Sequence, residues 1–485
     1  MKKLLYLPVE TIARELDAKL LLAHRALSRG YIVIIGQKSN VFKAADQLGY
    51  GIYFSKGHGI KSFPTPQNSK DSDFICTALD EEGLTFLNDK FYLERAKPQK
   101  LEHLKIVFTW GSYQRNLLLK ENPSLESKIV AVGNPRFDLL RPEFSLLYES
   151  AREKIYKTWG KYILINTSFS AGNFSRHYGC SYIEYQRHSF RGNRNRSLFQ
   201  SEYDYLLRRE KYHKDLFNRY KELLQKTSSK FPDLNFIVRP HPSEDHENWR
   251  EALKGIRNVH VVYKGSAIDW IIGAMAVIHA GCTTGIETWA LRKTLITYIP
   301  NHKTGVQPEL PEKFGLRVGN INEVFRILES VIEGKSHSTF DEQIETAQPF
   351  IESIKGKISA ERIMDVIDDL VSVRKFKNRD SEGSVYLKLH NLESIKRAWK
   401  FKILKWMIKH RPAIRRLAGR RLSDYIFSLF KKYPGLLNQF QKFPGLGPEY
   451  INSRLLIFDS IFNQEINKSY SVRKIATDTY IIDKK

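Results

Sequence analysis

The sequence is poor in cysteine and contains no long hydrophobic run. Its three cysteines, Cys76, Cys180 and Cys282, have no paired spacing, so we expect neither a disulfide framework nor a cysteine metal site, and a reducing compartment is indicated. No stretch approaches the ~20 apolar residues that are needed to span a bilayer. The N-terminal MKKLLYLPVET lacks the long hydrophobic region of a signal peptide, so we expect it to form a first strand instead. We therefore expect a cytoplasmic protein that is soluble or peripheral on the inner membrane.

Acidic residues are few relative to basic ones. The chain has 78 Lys and Arg residues against 53 Asp and Glu residues, a formal net charge of +25. This excess indicates an anionic partner, which is nucleic acid, anionic lipid or a phosphorylated substrate. A hydrophobic content of 42% and an aromatic content of 12% argue against a disordered chain, and 485 residues suggest two to three domains.

Short apolar segments alternate with helical segments over residues 1–158, and the pattern repeats over residues 159–372. This alternation predicts an α/β fold with parallel, doubly wound sheets. The expected architecture is two Rossmann-like domains facing a cleft, with ligands bound beyond the carboxyl ends of the strands. Residues 373–485 are expected to be a basic, mainly helical tail.

The stretch AVIHAGCTTGIE, residues 276–287, predicts a buried strand, a glycine turn and a helix opened by two threonines. Gly281 permits the sharp turn, and Thr283 and Thr284 lie where free N–H groups and hydroxyls are available. A helix N terminus of this kind binds anions, most often phosphate. The alternative is an ordinary strand-to-helix turn with a threonine cap.

Two further turns of the first domain carry candidate polar groups. Asp80, Glu81 and Glu82 follow an apolar strand, and their mutual repulsion suggests a raised pKa in one of them, as suits a general base. The alternative is a solvated helix start, where acids are favoured. Arg136, in the turn GNPRFD, is placed to meet an anion, although a structural turn closing the first domain explains it equally well.

The second domain offers Arg239 and His241 in the turn RPHP, directly after the apolar residues NFIV. The prolines Pro240 and Pro242 fix the backbone, so that both side chains are presented beyond the strand end. Arginine binds phosphate bidentately and histidine donates to it. The alternative is a surface turn. The basic, aromatic stretch 172–197 is either a ligand-binding lid or a flexible surface loop.

Residues 395–422 contain no acidic residue and place tryptophans on one helical face with lysines elsewhere. A basic helix with this pattern is typical of one that lies on an anionic membrane surface. The alternative is a helix that packs on the protein and exposes its basic face. The sequence suggests no role for residues 425–485.

Taken together, the Glu81-Glu82-Gly83 turn, the His241-Pro242 pair and the Thr283-Thr284 pair resemble the motifs of bacterial sialyltransferases and Kdo transferases. The resemblance covers roughly residues 1–370. The chain also resembles bacterial capsule and lipopolysaccharide biosynthesis proteins in its Leu-Pro-Val-Glu, Arg-Pro-His-Pro and His-Ala-Gly-Cys-Thr-Thr segments. These resemblances imply a GT-B fold and a nucleotide-sugar donor, with a CMP-sugar favoured.

The resemblance also implies residue roles. Glu81 or Glu82 would deprotonate the acceptor hydroxyl, and His241 would protonate or hydrogen-bond the departing phosphate. Thr283 and Thr284 would hold that phosphate, with Gly281 and Pro242 shaping the donor site. Arg239 and Glu287 have no strict place in the pattern, but Glu287 lies where many GT-B enzymes hold the ribose. Both acids are glutamates where aspartate is common, which leaves open which one acts.

The leading hypothesis is a metal-independent glycosyltransferase that moves a sugar from a nucleotide donor to a glycan or glycolipid acceptor in surface polysaccharide synthesis. No residues have metal-ligand spacing, and no cofactor beyond the donor substrate is expected. The alternatives are a nucleotide-sugar 2-epimerase and a teichoic-type polyol-phosphate transferase. A nucleic-acid-binding protein is disfavoured because no nucleic-acid motif accompanies the basic charge, so no nucleic-acid partner is expected. The expected partners are the donor, the acceptor and an anionic inner membrane surface contacted through residues 395–422.

Overall fold

The computed structural model describes residues 3–58, 73–175, 181–190, 200–372, 382–389, 443, 445–463 and 469–484. The strands are β1 (Lys3–Val9), β2 (Tyr31–Gln37), β3 (Tyr50–Ser55), β4 (Asp73–Leu79), β5 (Ile106–Thr109), β6 (Ile129–Ala131), β7 (Tyr162–Asn166), β8 (Asn235–Arg239), β9 (Val259–Val261), β10 (Ala276–His279), β11 (Thr294–Tyr298), β12 (Leu316–Val318), β13 (Tyr470–Ala476) and β14 (Thr479–Lys484).

The helices alternate with these strands over most of the described chain. They are α1 (Ile12–Ser28), α2 (Lys38–Leu48), α3 (Asp89–Arg95), α4 (Pro98–Leu101), α5 (Ser112–Glu121), α6 (Pro135–Asp138), α7 (Glu149–Trp159), α8 (Tyr182–Phe190), α9 (Gln200–Lys230), α10 (His246–Ala252), α11 (Ala267–Gly273), α12 (Thr283–Ala290), α13 (Ile321–Ile332), α14 (Ile344–Ala347), α15 (Ser359–Ser372), α16 (Glu382–Leu389) and α17 (Pro448–Ile461).

The first sheet has the strand order β13-β14-β2-β1-β3-β4-β5-β6. Strands β1 to β6 pair in parallel. Their side chains are buried on both faces, which explains why the strands are continuous apolar runs rather than alternating ones. Helix α1 covers one face of this sheet and α2 the other.

The end of the chain returns to this first sheet. Strand β14 pairs antiparallel with β2, and β13 pairs antiparallel with β14 at the sheet edge. Helix α17 packs on α1, where Asp459 accepts a hydrogen bond from His24 at 3.0 Å. Helix α17 and strands β13 and β14, in a part of the chain to which the sequence assigned no role, therefore contribute a covering helix and edge strands to the N-terminal unit. The description of residues 373–485 as a basic, mainly helical tail stays a prediction.

The second sheet has the order β12-β11-β10-β7-β8-β9 and is parallel throughout. Numbered from its own first strand, β7, this is the Rossmann order 3-2-1-4-5-6, with its switch point between β7 and β10. Helices α9, α10 and α13 pack on one face, while α11 and α12 pack on the other. The expected fold class, two Rossmann-like doubly wound units, is confirmed.

Two chain segments connect the units, and they lie side by side. Asp138, at the end of α6, accepts hydrogen bonds from the backbone N–H groups of Ser359 and Ala360 at 2.8 and 2.9 Å, and so caps α15. Helix α15 then packs on α1, where its acidic residues pair with Arg25 and Arg29. The divisions at 158/159 and 372/373 remain predictions.

Within the described ranges, no helix has the length and apolarity needed to cross a membrane. The predicted membrane-binding segment 395–422 lies outside the described residues, as does much of the stretch 172–197.

Candidate functional site

The expected turns of the second unit, RPHP and HAGCTT, lie at the carboxyl edge of its sheet. RPHP follows β8 and HAGCTT follows β10, the strands on either side of β7. Loops that leave parallel strands on opposite faces open a crevice at the switch point, which is where doubly wound sheets bind ligands. The sequence predicted where both strands end. The structure shows that the two turns lie at the same edge of one sheet.

His279 organises the HAGCTT turn from inside the protein. Its Nδ1 accepts the backbone N–H groups of Gly281 and Cys282 at 3.2 and 3.3 Å, so the ring proton is on Nε2, which donates to Thr297 Oγ1 at 2.9 Å. Burial lowers the pKa of His279 to about 3, so the ring is neutral at pH 7. Sequence reasoning named the turn but not this residue.

Two glycines are required for this turn. Gly281 has φ +99°, a left-handed conformation that glycine adopts without strain. At Gly285, in the first turn of α12, a Cβ atom would overlap the ring of His279. The helix can therefore approach the buried histidine only because position 285 has no side chain.

The two threonines lie at the N terminus of α12, as predicted. Thr283 is exposed and Thr284 is half-buried, with its Oγ1 2.7 Å from the Cys282 Sγ. Cys282 is the N-cap residue, and its side chain makes no capping hydrogen bond to the helix. The first turn of α12 therefore presents hydroxyl and N–H groups to the crevice, which is the arrangement that favours an anion.

His241 is held in one tautomer by Ser243. The backbone N–H of Ser243 donates to Nδ1 of His241 at 3.2 Å, and the Ser243 hydroxyl lies 2.7 Å from the same nitrogen. Ser170, after β7, joins this cluster with its hydroxyl 2.6 Å from that of Ser243. The Nδ1 lone pair is thereby occupied and the ring proton lies on Nε2. Among the described residues, no hydrogen-bond partner of Nε2 is found.

The pKa of His241 is lowered to about 4 because protein encloses the ring on most sides, and the nearby charge of Glu82 opposes this shift. The ring nevertheless remains accessible to water, as expected for a residue on the wall of a cleft. At pH 7 the ring of His241 is therefore neutral, and its Nε2–H is available to donate a hydrogen bond to a ligand.

Arg239 is turned toward its own unit. Its guanidinium donates to the carbonyl oxygens of Lys264 and Gly265 at 3.0 and 2.6 Å and stacks over Tyr263. Both terminal nitrogens of the Arg239 guanidinium thus hold the loop after β9, and they do not point into the crevice as a bidentate phosphate ligand would. Pro242 is exposed next to His241.

Glu244 is a buried residue that sequence reasoning missed. Its Oε1 accepts hydrogen bonds from the Thr167 hydroxyl at 2.8 Å and from the backbone N–H groups of Phe169 and His241 at 3.0 and 3.1 Å. Its Oε2 accepts from Trp249 at 2.9 Å. The carboxylate thus fastens the loop after β7 to the loop after β8. In the sequence, the only feature that could have pointed to Glu244 is the position of an acid three residues after His241.

The acidic turn follows β4, as predicted, and its two glutamates have different surroundings. Oε1 of Glu81 lies 3.3 Å from Lys19 Nζ, and both side chains are about 5% exposed. Burial would raise the pKa of Glu81, but the charges of Lys19, Arg136 and Arg14 outweigh burial and hold it below its ordinary value. Glu81 is therefore not the acid with a raised pKa, and the expectation of one such acid among the three stays a prediction.

Glu82 is exposed and forms an ion pair with Arg14 of α1. Its backbone N–H donates to Asp80 Oδ1 at 3.0 Å, and Asp80 itself pairs with Arg95. The repulsion that the sequence suggested among the three acids is thus relieved by a different cation for each. Lys19 and Arg14, which supply two of these charges, were not singled out from the sequence.

Glu287 is buried on α12 and pairs with Arg136, whose Nη2 lies 2.8 Å from Glu287 Oε1. The sequence placed the two residues in separate roles, as a ribose ligand and as a residue meeting an anion. The structure brings them together across the two units. In the described part of the chain, no group of three or more His, Cys, Asp or Glu residues is arranged to hold a metal ion.

The sequence matches no protein-family model and no curated protein sequence. Solved structures with a related fold are found. The co-structure of S. aureus MnaA with UDP is 14% identical, covers 79% of this chain and 100% of its own, and has a TM-score of 0.45. The UDP-GlcNAc 2-epimerase of Methanocaldococcus jannaschii is 12% identical, covers 76% and 100%, and has a TM-score of 0.47. The wall teichoic acid polymerase TagF is 10% identical, covers 76% and 89%, and has a TM-score of 0.48.

Proposed function

We propose that the protein is a nucleotide-sugar-dependent glycosyltransferase that acts in bacterial surface glycan biosynthesis. In this proposal the second unit binds the donor at its sheet switch point, and the first unit binds the acceptor. The observation that carries the proposal is the His241 ring at the carboxyl edge of the second sheet, where Nδ1 accepts from the Ser243 N–H at 3.2 Å and Nε2–H finds no partner among the described residues. The first unit reaches the neighbouring helix α12 through Arg136, whose Nη2 lies 2.8 Å from Glu287 Oε1.

Sugar transfer needs a group that accepts the proton of the acceptor hydroxyl and groups that stabilise the leaving phosphate. A glutamate of the acidic turn supplies the first function. Glu82 is accessible and Glu81 is buried among cations, so we assign the base to Glu82 and an electrostatic role to Glu81. Glu81 is ionised at pH 7 in this proposal, because the neighbouring cations hold its pKa below the ordinary value.

The leaving phosphate is stabilised by the neutral His241 and by the N terminus of α12. Nε2–H of His241 donates a hydrogen bond to a phosphate oxygen, and the approach of the anion raises the pKa of the ring toward protonation. Thr283 and Thr284 add hydroxyl and N–H donors at the helix start. Closure of the two units over the donor excludes water and limits hydrolysis.

The decisive experiment incubates the purified protein with CMP-Kdo, CMP-sialic acid, UDP-GlcNAc or CDP-glycerol and membrane lipid acceptors. We expect sugar transfer from one donor, and a loss of about 100-fold or more in His241→Ala. His260→Ala is the matched control, because His260 contacts Asn235 at the opposite end of β8. Full activity of His241→Ala would overturn the assignment of roles.

Analysis of the reaction products in this experiment also distinguishes a glycosyltransferase from the two alternative enzymes. A 2-epimerase converts a UDP-sugar without any acceptor, and a polyol-phosphate transferase extends the acceptor from CDP-glycerol. The preference for a CMP-sugar rests on the sequence motifs alone. The role of Arg239 in this site is indirect in our proposal, because its guanidinium holds the 264–265 loop.

A further inference from the structure

Four polar residues form a row across the carboxyl edge of the second sheet. Register pairs Thr297 with His279, His279 with Asn166, and Asn166 with Arg239, on four adjacent strands. Residues in register in a parallel sheet point to the same face, and the residues two positions earlier on these strands all enter one apolar cluster. The row therefore caps that cluster at the end where ligands bind.

Three members of the row are accounted for by contacts within the protein. His279 donates to Thr297, which donates to the Phe314 carbonyl at 2.6 Å, and Arg239 donates to two loop carbonyls. Asn166 differs from the others. It is 4% exposed, and among the described residues its Nδ2 is buried without a hydrogen-bond partner.

An unpartnered amide in the interior is costly and so is rarely retained without a use. Asn166 ends β7, and His279 ends β10, so the free amide lies at the point where the strand order reverses. The adjoining turns present donors, namely the N–H groups at the start of α12 and the Nε2–H of His241. A site built from donors is suited to an anionic oxygen.

We propose that the side-chain amide of Asn166 donates a hydrogen bond to a phosphoryl oxygen of the bound nucleotide. This inference rests on the proposed function, because it requires a nucleotide in the second unit. A 180° rotation of the Asn166 amide exchanges Oδ1 and Nδ2, so the NH₂ group can occupy either of the two positions. Asn166 would then contact the phosphate from beneath, with His241 and α12 at its sides.

The test compares binding of nucleotides and nucleosides to Asn166→Asp by calorimetry. The probes are CMP, CDP and UDP, each against cytidine or uridine. A carboxylate in place of the amide removes the donor and adds repulsion, so we expect nucleotide affinity to fall by about 10- to 100-fold. Nucleoside affinity should change by less than about 2-fold, because nucleosides carry no phosphate.

Asn235→Asp is the matched control, since Asn235 begins the neighbouring strand β8 and donates to Trp159 at the other end of the sheet. Its nucleotide affinity should stay at the wild-type value. If Asn166→Asp does not fold, Asn166→Ser keeps the site neutral and must show the same selective loss of nucleotide affinity.

Equal losses for nucleotide and nucleoside would overturn the inference, since they would indicate a structural asparagine. Unchanged affinity would also overturn it, and would assign the amide to a buried water. If the wild-type protein binds no nucleotide at all, the proposed function fails instead, and the inference falls with it.

Discussion

Arg136 and Glu287 form an ion pair that joins the two units of the chain. The side chains are 14% and 10% exposed, with Nη2 and Oε1 2.8 Å apart. Arg136 follows β6 in the first unit, and Glu287 lies on α12, whose N terminus is the candidate phosphate site. The same guanidinium helps to lower the pKa of Glu81. One cation therefore acts on both proposed halves of the active site.

Breaking this pair should destabilise the protein. We expect Arg136→Leu to lower the free energy of unfolding by about 3 kcal/mol, because it leaves a buried carboxylate unpaired. The double variant Arg136→Leu/Glu287→Gln should recover part of the loss in denaturant unfolding. The control Arg250→Leu removes an exposed pair with Glu247 and should cost less than about 1 kcal/mol. Equal losses in the single and double variants would contradict the account.

The buried His279 should make stability depend on pH. Its folded pKa of about 3 is below the ordinary 6.5, so between these values the unfolded chain binds a proton that the folded chain does not. Stability from this group is complete above pH 6.5 and falls as the pH drops toward 3, by up to about 1.4 kcal/mol per pH unit. His279→Asn keeps an acceptor but cannot titrate. Its unfolding free energy should show a shallower acid slope, and an unchanged slope would contradict the prediction.

Glu244 should be essential for the shape of the donor site. In Glu244→Gln one of the two accepting oxygens becomes an NH₂ group, which can only donate. At least one buried N–H therefore loses its partner. We expect a loss of about 2 kcal/mol in stability and weaker nucleotide binding. Glu247→Gln, exposed three residues later, is the control and should match the wild type. Wild-type nucleotide affinity in Glu244→Gln would argue against its positioning role.

Gly285 should not tolerate even a methyl group. In Gly285→Ala the new Cβ would overlap the His279 ring, so either the histidine or the start of α12 must move. We expect a stability loss of about 1–3 kcal/mol and reduced nucleotide affinity. Gly319→Ala is the matched control, because no atom of the residues that the structure describes lies within 4 Å of a Cβ there. Similar melting temperatures for the two variants would show that the close approach is unimportant.

The proposed membrane contact of residues 395–422 needs a variant that spares the end of the chain. Deleting 395–485 would remove α17, β13 and β14, which complete the first unit. Replacing only 395–422 with a Gly-Ser linker of the same length leaves these elements in place. We expect the replacement to abolish co-sedimentation with anionic vesicles without changing nucleotide affinity. Persistent vesicle binding would place the contact elsewhere.

The alternation of apolar strands and helices was enough to predict two doubly wound units and the ends of β4, β8 and β10. Turn residues such as Gly281 and the prolines at 240 and 242 marked where each strand ends. These signals are local, since they reflect backbone preferences and a periodicity read over a few residues. For the same reason the predicted start of α12 at Thr283 agrees with the structure.

The side-chain environments could not be read in this way. Three acids in a row suggested repulsion and a raised pKa, but the cations that reverse this for Glu81 lie on α1 and after β6. Glu244 looked like one acid in a polar turn, because two of the donors that it binds, Thr167 and Phe169, lie in the loop after β7. The pairing of β14 with β2 was equally hidden, as the two strands are separated by most of the chain.

By itself, therefore, the sequence determined the fold class and the turns that carry the candidate site, because each depends on neighbouring residues. Only the tertiary structure decided which charges meet. Arg136 and Glu287 are 151 positions apart, and their contact depends on how two sheets and their connections pack. It also decided that Asn166 lies at the switch point, where its Nδ2 has no hydrogen-bond partner among the described residues, because that position depends on the order of the strands in the sheet.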